Sequence, residues 1–295
     1  MWLILSIFPA VEGQNKYILP DPYSAWDGVT HWSKYLIISP AYMGPNALPV
    51  PTVRTAEIPV KWKWRSMYEY FYTGGGATHD FLQEFTVPLA GGRAAVEVSY
   101  TPVEFFSVDS VLSRTRRTFH GRAAKGYSLG DVYFGTTVRL LKEHSFWPDI
   151  TFSMTCRTAS GTGREEARHT DTPGYYLDLA LGKTYGTGRG YLEHLRIFGE
   201  AGIYIWQTYL DNNPQNDALL YGVGTRFVFK DFAFQQSIRG YSGYMHNGDH
   251  PLVVSSTLDL RIRGVSIQFG YEKGLRDYPF SSIRTGVVIH PDYDQ

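Results

Sequence analysis

The chain has 295 residues and carries 28 basic against 28 acidic side chains, a balance that leaves no basic footprint for nucleic acid. Its hydrophobic content is 43% and its aromatic content 16%, with 22 tyrosines, enough chain for one large domain or two ordinary ones. No internal stretch reaches the ~18 apolar residues of a membrane-spanning helix, which argues against a helical membrane protein; the mean hydropathy of −0.24 leaves open a barrel whose strands hide their hydrophobicity by alternating it.

The first residues, Met1 to Gly13, form a short apolar run, with Val11 and Gly13 in the small-residue positions of a signal-peptidase site. Residues 1–13 therefore read as a signal peptide, shortened and without its basic leader, and the mature chain would begin at Gln14. Residues 14–59 have no stable period and contain Pro20, Pro22, Pro40, Pro45, Pro49, Pro51 and Pro59. Proline removes ladder hydrogen bonds, so this stretch is predicted to be an irregular leader, inside a barrel as a plug or at its periplasmic mouth.

From Val60 the pattern changes to alternation, and residues 60–291 read as a barrel domain. Twelve strands are predicted, at about 60–73, 77–89, 93–105, 127–141, 147–159, 174–186, 191–208, 216–230, 231–245, 251–263, 264–274 and 278–290. Many exceed the usual strand of ~5 or 6 residues. Short connections at Gly91-Gly92, Glu143 to Ser145, Gly186 to Gly190, Lys230-Asp231 and Arg263-Gly264 alternate with longer ones at 106–126, 160–173, 209–215, 246–250 and 275–277. Such alternation belongs to a closed antiparallel barrel with one periplasmic and one external rim. The Gly74 to Gly76 connection is short where this scheme wants a long one. With an even strand number, both termini should emerge at the periplasmic rim.

Side chains of a strand point to opposite sides with period two. Near the C-terminus, Leu258, Leu260, Ile267 and Phe269 thus share one face and Asp259, Arg261 and Glu272 the other. Extended along the chain, the same parity places Glu84, Glu97, Asp131, Arg139, Arg157, Asp178, Arg196, Glu200, Arg226, Arg239, Asp259, Arg261, Glu272 and Arg284 inward, seven arginines matched by seven acids. Outward lie Val132, Phe134, Val138, Leu177, Leu179, Leu181, Ile203, Ile205, Val223, Phe227 and Phe229. Because Arg or Lys on the lipid face costs about 2 to 4 kcal/mol at the midplane, the charged row is predicted to line the lumen. Aromatics near strand ends (Tyr133, Trp147, Tyr175, Tyr185, Trp206, Tyr209, Tyr221, Tyr241, Tyr244 and Tyr278) suit interfacial girdles.

Chemistry-bearing motifs are sparse. Gly186 to Gly190 opens no helix and reads as a hairpin turn rather than a phosphate loop. His246 to His250 has the residue types of a divalent-cation site, and Gly161 to Asp171 those of a loop gripping lipopolysaccharide, but solvated rim loops are the default for both. Cys156, the one cysteine, has no disulfide partner and falls on an apolar row. His144 and His194 lie near short turns without a convincing serine, so no nucleophile and base pair is read, and no cofactor or metal is expected.

From Tyr127 to Pro291 the chain resembles the outer-membrane barrels named for the meta-pathway of phenol degradation, distant relatives of the fatty-acid transporter barrels. The residues that carry it are Ser128 to Gly135, the Arg139 to Glu143 turn, the Phe152 to Gly163 strand and its loop, and Gly174 to Gly182. The resemblance covers about half the chain, implies a small-molecule channel for a hydrophobic solute, and supplies no site residues. Together these readings predict an all-β, closed antiparallel transmembrane barrel in the outer membrane of a Gram-negative bacterium. It would contact outer-membrane lipid and lipopolysaccharide and pass a small solute. An outer-membrane lipid hydrolase, or an accessory barrel subunit that binds a partner complex, are the alternatives.

Overall fold

The computed structural model describes residue 29 and residues 31–119, 121–186, 190–262 and 264–289. The signal-peptide reading, the leader up to residue 28, the Arg263 half of its turn and most of the Gly186 to Gly190 turn lie outside these residues. Fourteen strands form one sheet: β1 (Lys63–Thr73), β2 (Gly76–Leu89), β3 (Ala94–Tyr100), β4 (Glu104–Val108), β5 (Ala124–Ser128), β6 (Val132–Leu141), β7 (Asp149–Arg157), β8 (Gly174–Gly186), β9 (Leu192–Gln207), β10 (Gln215–Phe229), β11 (Phe232–Ser242), β12 (Leu252–Ile262), β13 (Val265–Arg276) and β14 (Ser281–Ile289). Neighbours are antiparallel throughout, and β1 pairs with both β2 and β14, from Trp64↔Ile289 to Tyr72↔Ser281 on the latter side. That pairing closes the sheet into a barrel.

The barrel has twelve staves, two of which are built from two strands each. β2 pairs with β3 through Gln83 to Leu89 and with β4 through Gly76 to Asp80, so β3 and β4 are one interrupted stave. Their partners β6 and β5 make the next. The stretches expected as single strands at 93–105 and 127–141 are therefore each interrupted. Pro102, which has no N–H to give the ladder, lies in one gap, and a bond from Gly130 N to Thr101 O at 2.9 Å spans the break. The extra length forms a β4–β5 hairpin tipped by the helix α1 (Ser110–Thr115), whose first turn is capped by the Asp109 carboxylate accepting from Leu112 N at 2.7 Å.

Register sorts the side chains as alternation requires. Asp259 opposes Gln268 and Ser255 opposes Glu272 on one face, while Leu258 opposes Phe269 and Leu260 opposes Ile267 on the other. The outward row is exposed: Phe134, Leu179, Leu181, Ile203, Val223 and Phe269. The inward row is buried: Asp131, Arg157, Asp178 and Arg196 are each 2% exposed or less. This inverts the inside-out rule of a protein in water and is the arrangement a barrel needs when lipid is its solvent. Most staves also have the length to cross, since about 9 to 11 tilted residues span a bilayer and β9 has 16. Among the described residues no helix is long and apolar enough to span a membrane.

The packed core lies inside the barrel. Leu36, Ile38, Met43, Ala47, Leu48 and Val50, all preceding β1, cluster with Tyr204, Trp206, Leu220, Tyr241, Val253, Tyr278 and Phe280 of the wall and its loops. Trp206, Tyr241 and Tyr278 are thus core residues, Tyr209 packs against them and Tyr133 lines the luminal cavity, so none of the five is a member of an interfacial girdle. Parity explains the correction: Trp206 is on the row of Arg196 and Glu200, and Tyr241 on that of Arg239. Exposed aromatics at stave ends, such as Trp64, Trp147, Tyr175, Tyr185 and Tyr244, occupy the girdle positions.

Candidate functional site: the occupied lumen

Residues 31–62 contain one short 3-10 turn, Trp32–Tyr35, and otherwise no regular structure. Backbone without a ladder must find partners elsewhere when buried, and the wall supplies them. Trp206 Nε1 donates to Ile38 O at 3.3 Å, the Tyr278 hydroxyl to Pro45 O at 3.3 Å and the Tyr241 hydroxyl to Leu48 O at 3.0 Å. Arg157 donates to Ala47 O, Arg239 Nε to Val50 O at 3.3 Å, and Arg196 Nε to Thr55 O at 2.9 Å. The prolines suit this role, since they remove N–H groups that the arginine-rich wall could not satisfy. We call this segment the strap.

Three inward carboxylates converge on one strap residue, Arg54. Its guanidinium meets Glu97 at 3.0 Å, Asp178 at 3.3 Å and the hydroxyls of Thr155 and Thr137 at 3.1 and 3.3 Å. Its backbone N–H donates to Glu200 at 2.8 Å. Toward the short-turn rim, Arg196 is held by Asp149 at 2.9 Å, Glu143 at 3.3 Å and the Thr184 hydroxyl at 2.7 Å. On the opposite wall Glu272 accepts from Arg239 at 2.7 Å and also pairs with Arg284, which reaches Glu69 at 3.2 Å. Arg65 bridges Glu84 and Gln268, and Gln268 donates to Asp259, which also meets Arg226 at 3.2 Å.

Two arginines stand apart from these networks. Arg139 is half-buried, with its backbone N–H on Arg93 O at 2.8 Å, close to the short-turn rim. Arg261 is exposed at the same rim, 3.9 Å from Glu193.

The loop 158–173 is not a solvated rim loop: it folds inward and buries Arg168 and His169 at 1% exposure each. Arg168 Nε donates to Glu104 at 2.7 Å and stacks over the Phe106 ring at 4.9 Å. His169 lies 3.6 Å from Glu104 and 3.7 Å from Asp131, and Asp131 accepts from Gly161 N at 2.7 Å. Burial alone disfavours a charged ring, but the two carboxylates outweigh it and hold the His169 pKa above its ordinary value. The Ser128 hydroxyl donates to Glu104, at 2.6 Å, and not to the ring. In the 246–250 loop Asp249 is buried and accepts from Asn216 and Met245 N, with His250 3.0 Å away. Among the described residues no three His, Cys, Asp or Glu side chains form a metal-holding group.

Glu69, Asp80, Glu104, Arg65, Arg54 and Arg168 were absent from the residues picked by parity. The first two and Arg65 could have been read that way, because Glu69 opposes Asp80 and Arg65 opposes Glu84 in register. Glu104 lies past the interrupted stave, where parity slips, and Arg54 and Arg168 sit in segments with no period.

Between the strap and the wall remains a cavity of about 150 Å³, lined among others by Arg65, Glu69, Glu84, Tyr133, Arg239 and Tyr278. The Tyr133 hydroxyl and Arg239 Nη1 have no protein hydrogen-bond partner among the described residues. Buried polar groups in such a state are ordinarily satisfied by water, and a polar cavity of this size has room for it.

No family model matches the chain, and no curated protein matches it. Solved structures do. The COG4313 outer membrane channel from Pseudomonas putida F1 aligns at a TM-score of 0.54 with 9% identity, over 83% of this chain and 97% of that one. The NanC porin aligns at 0.50 with 9% identity, over 77% of this chain and 100% of that one. At such identity the likeness is one of fold: the chain has the fold of outer-membrane barrels. The resemblance to the phenol-degradation barrels stands at that level only.

Proposed function

We propose that the protein is an outer-membrane channel for a small polar solute, held closed by its strap. The observation that carries this reading is the lumen itself. Guanidinium and carboxylate groups alternate around the cavity beside the strap, a lining that supports a transverse field able to select a permeating solute. Balanced charge argues for a solute with polar groups of both signs rather than for a strong anion or cation preference. The barrel's size agrees, since twelve staves fall between the side-chain-filled barrels of eight strands and the open porins of sixteen. The lipid-facing row and the fold shared with the two solved structures support the membrane setting.

Single-channel recording tests it. The full chain in a planar bilayer should show rare, small openings. Arg54→Ala, which removes the strap's central anchor on Glu97 and Asp178, should raise their frequency at least tenfold. Silence from both proteins would sink the channel reading.

A further inference from the structure

The strap's contacts have an order, and the order gives it a direction across the membrane. Lys34 Nζ bonds Tyr209 O at 3.0 Å and Asp211 at 2.6 Å, both in the long β9–β10 connection. Ser39 Oγ donates to Asn247 O at 3.0 Å and Ala41 N to Gly248 O at 3.3 Å, in the long β11–β12 connection. Gly44 N then bonds Ala167 O at 2.8 Å, in the long β7–β8 connection. Leu48 and Val50 meet Tyr241 and Arg239, one and then two positions further down the inner row of β11. Ile38, Arg54 and Thr55 likewise meet Trp206, Glu200 and Arg196 in descending order along β9. At the end of the walk, a Cβ on Gly92 would lie 3.6 Å from Val60, in the short β2–β3 turn. Past Gly44, not one of these contacts steps backward.

We propose that the strap passes through the whole barrel, so that Val29 and Val60 stand on opposite sides of the membrane, Val29 on the side of the long-connection rim. The inference rests on the outer-membrane reading, in which short turns face the periplasm and long connections face outward. It departs from the simple parity of an even-stranded barrel. β1 begins and β14 ends at the short-turn rim, but the chain reaches β1 only after crossing the lumen from the other side. The outer end is pinned by polar contacts to three long connections, the inner end by Arg196. A strap folded back on itself from the short-turn rim would have met Arg196 and Glu200 twice.

Cysteine accessibility in cells tests this with the full chain. In a Cys156→Ser background, single cysteines are placed at Val29 and Val60, both strongly exposed. Asp211→Cys marks the long-connection rim and Phe146→Cys the short-turn rim. A membrane-impermeant maleimide applied to intact cells should label V29C and D211C, and should reach V60C and F146C only after the outer membrane is permeabilised. Labelling of V29C together with F146C, from either side, overturns the through-passage. Labelling of F146C and V60C from outside, with D211C and V29C protected, overturns the outward placement. Neither result depends on conductance, so a barrel that passes no current still answers the question.

Discussion

His169 shows how one side chain can set the pH dependence of a loop. Its ring is wedged between Glu104 and Asp131 at 3.6 and 3.7 Å, with Arg168 and Arg157 nearby as opposing charges. The carboxylates win and the folded-state pKa is raised. A raised pKa contributes stability that is complete below the unfolded value, ~6.5 for histidine, and that is lost as pH climbs through the folded value. The docked 158–173 loop should therefore be tightest below about pH 6.5 and loosen as pH rises above it. Arg164, 40% exposed in this loop, offers a trypsin site for the measurement. Cleavage after Arg164 should quicken from pH 6.5 to 8.5 by more than trypsin's own pH dependence allows, and His169→Gln should remove that excess. An excess that persists in the variant would assign the effect to another group.

At the scale of the strand, parity decides which side chains meet lipid. Leu179 lies midway along β8 on the outward row, and Tyr185 lies near its short-turn end on the same row. Arginine costs about 2 to 4 kcal/mol at the bilayer midplane and about 0 to 1 kcal/mol near an interface. Leu179→Arg should lower folding stability in lipid vesicles by the larger amount and Tyr185→Arg by the smaller, measured as urea midpoints of reversible folding. Equal costs would mean that the stave does not cross lipid where its length suggests. This much of the fold was legible in the sequence, because a period of two is local and survives without knowledge of the partner strand. What was hidden had no such period. The interruption at Thr101 to Val103 shifts parity without breaking the apolar pattern around it, which concealed Glu104. Trp206, Tyr241 and Tyr278 have the composition of a girdle, and only their row shows that they belong inside. Arg54 and Arg168 could not be found at all, since irregular segments acquire their partners from tertiary structure alone.

On the scale of the whole molecule, the lumen is a space that the chain fills with itself, and transport through it depends on moving the filling. The strap is held by carbonyl contacts and by the Arg54 cluster, interactions that can exchange with water one at a time, while the wall is closed by antiparallel ladders. The strap is therefore the element that yields first, as regions with few regular hydrogen bonds do. A covalent lock separates strap motion from wall motion. A Cβ on Gly222 of β10 would lie 2.6 Å from Cγ2 of Val53, close enough for a disulfide between cysteines at the two positions, whose Cβ atoms must approach to about 4 Å. In a Cys156→Ser background, Val53→Cys with Gly222→Cys should form that bond on oxidation and suppress openings. Reductant should restore them to the level of the single variants. Openings that continue unchanged with the bond formed would place the permeation path in the 150 Å³ cavity beside a stationary strap, and the strap would then be a fixed lining of the pore.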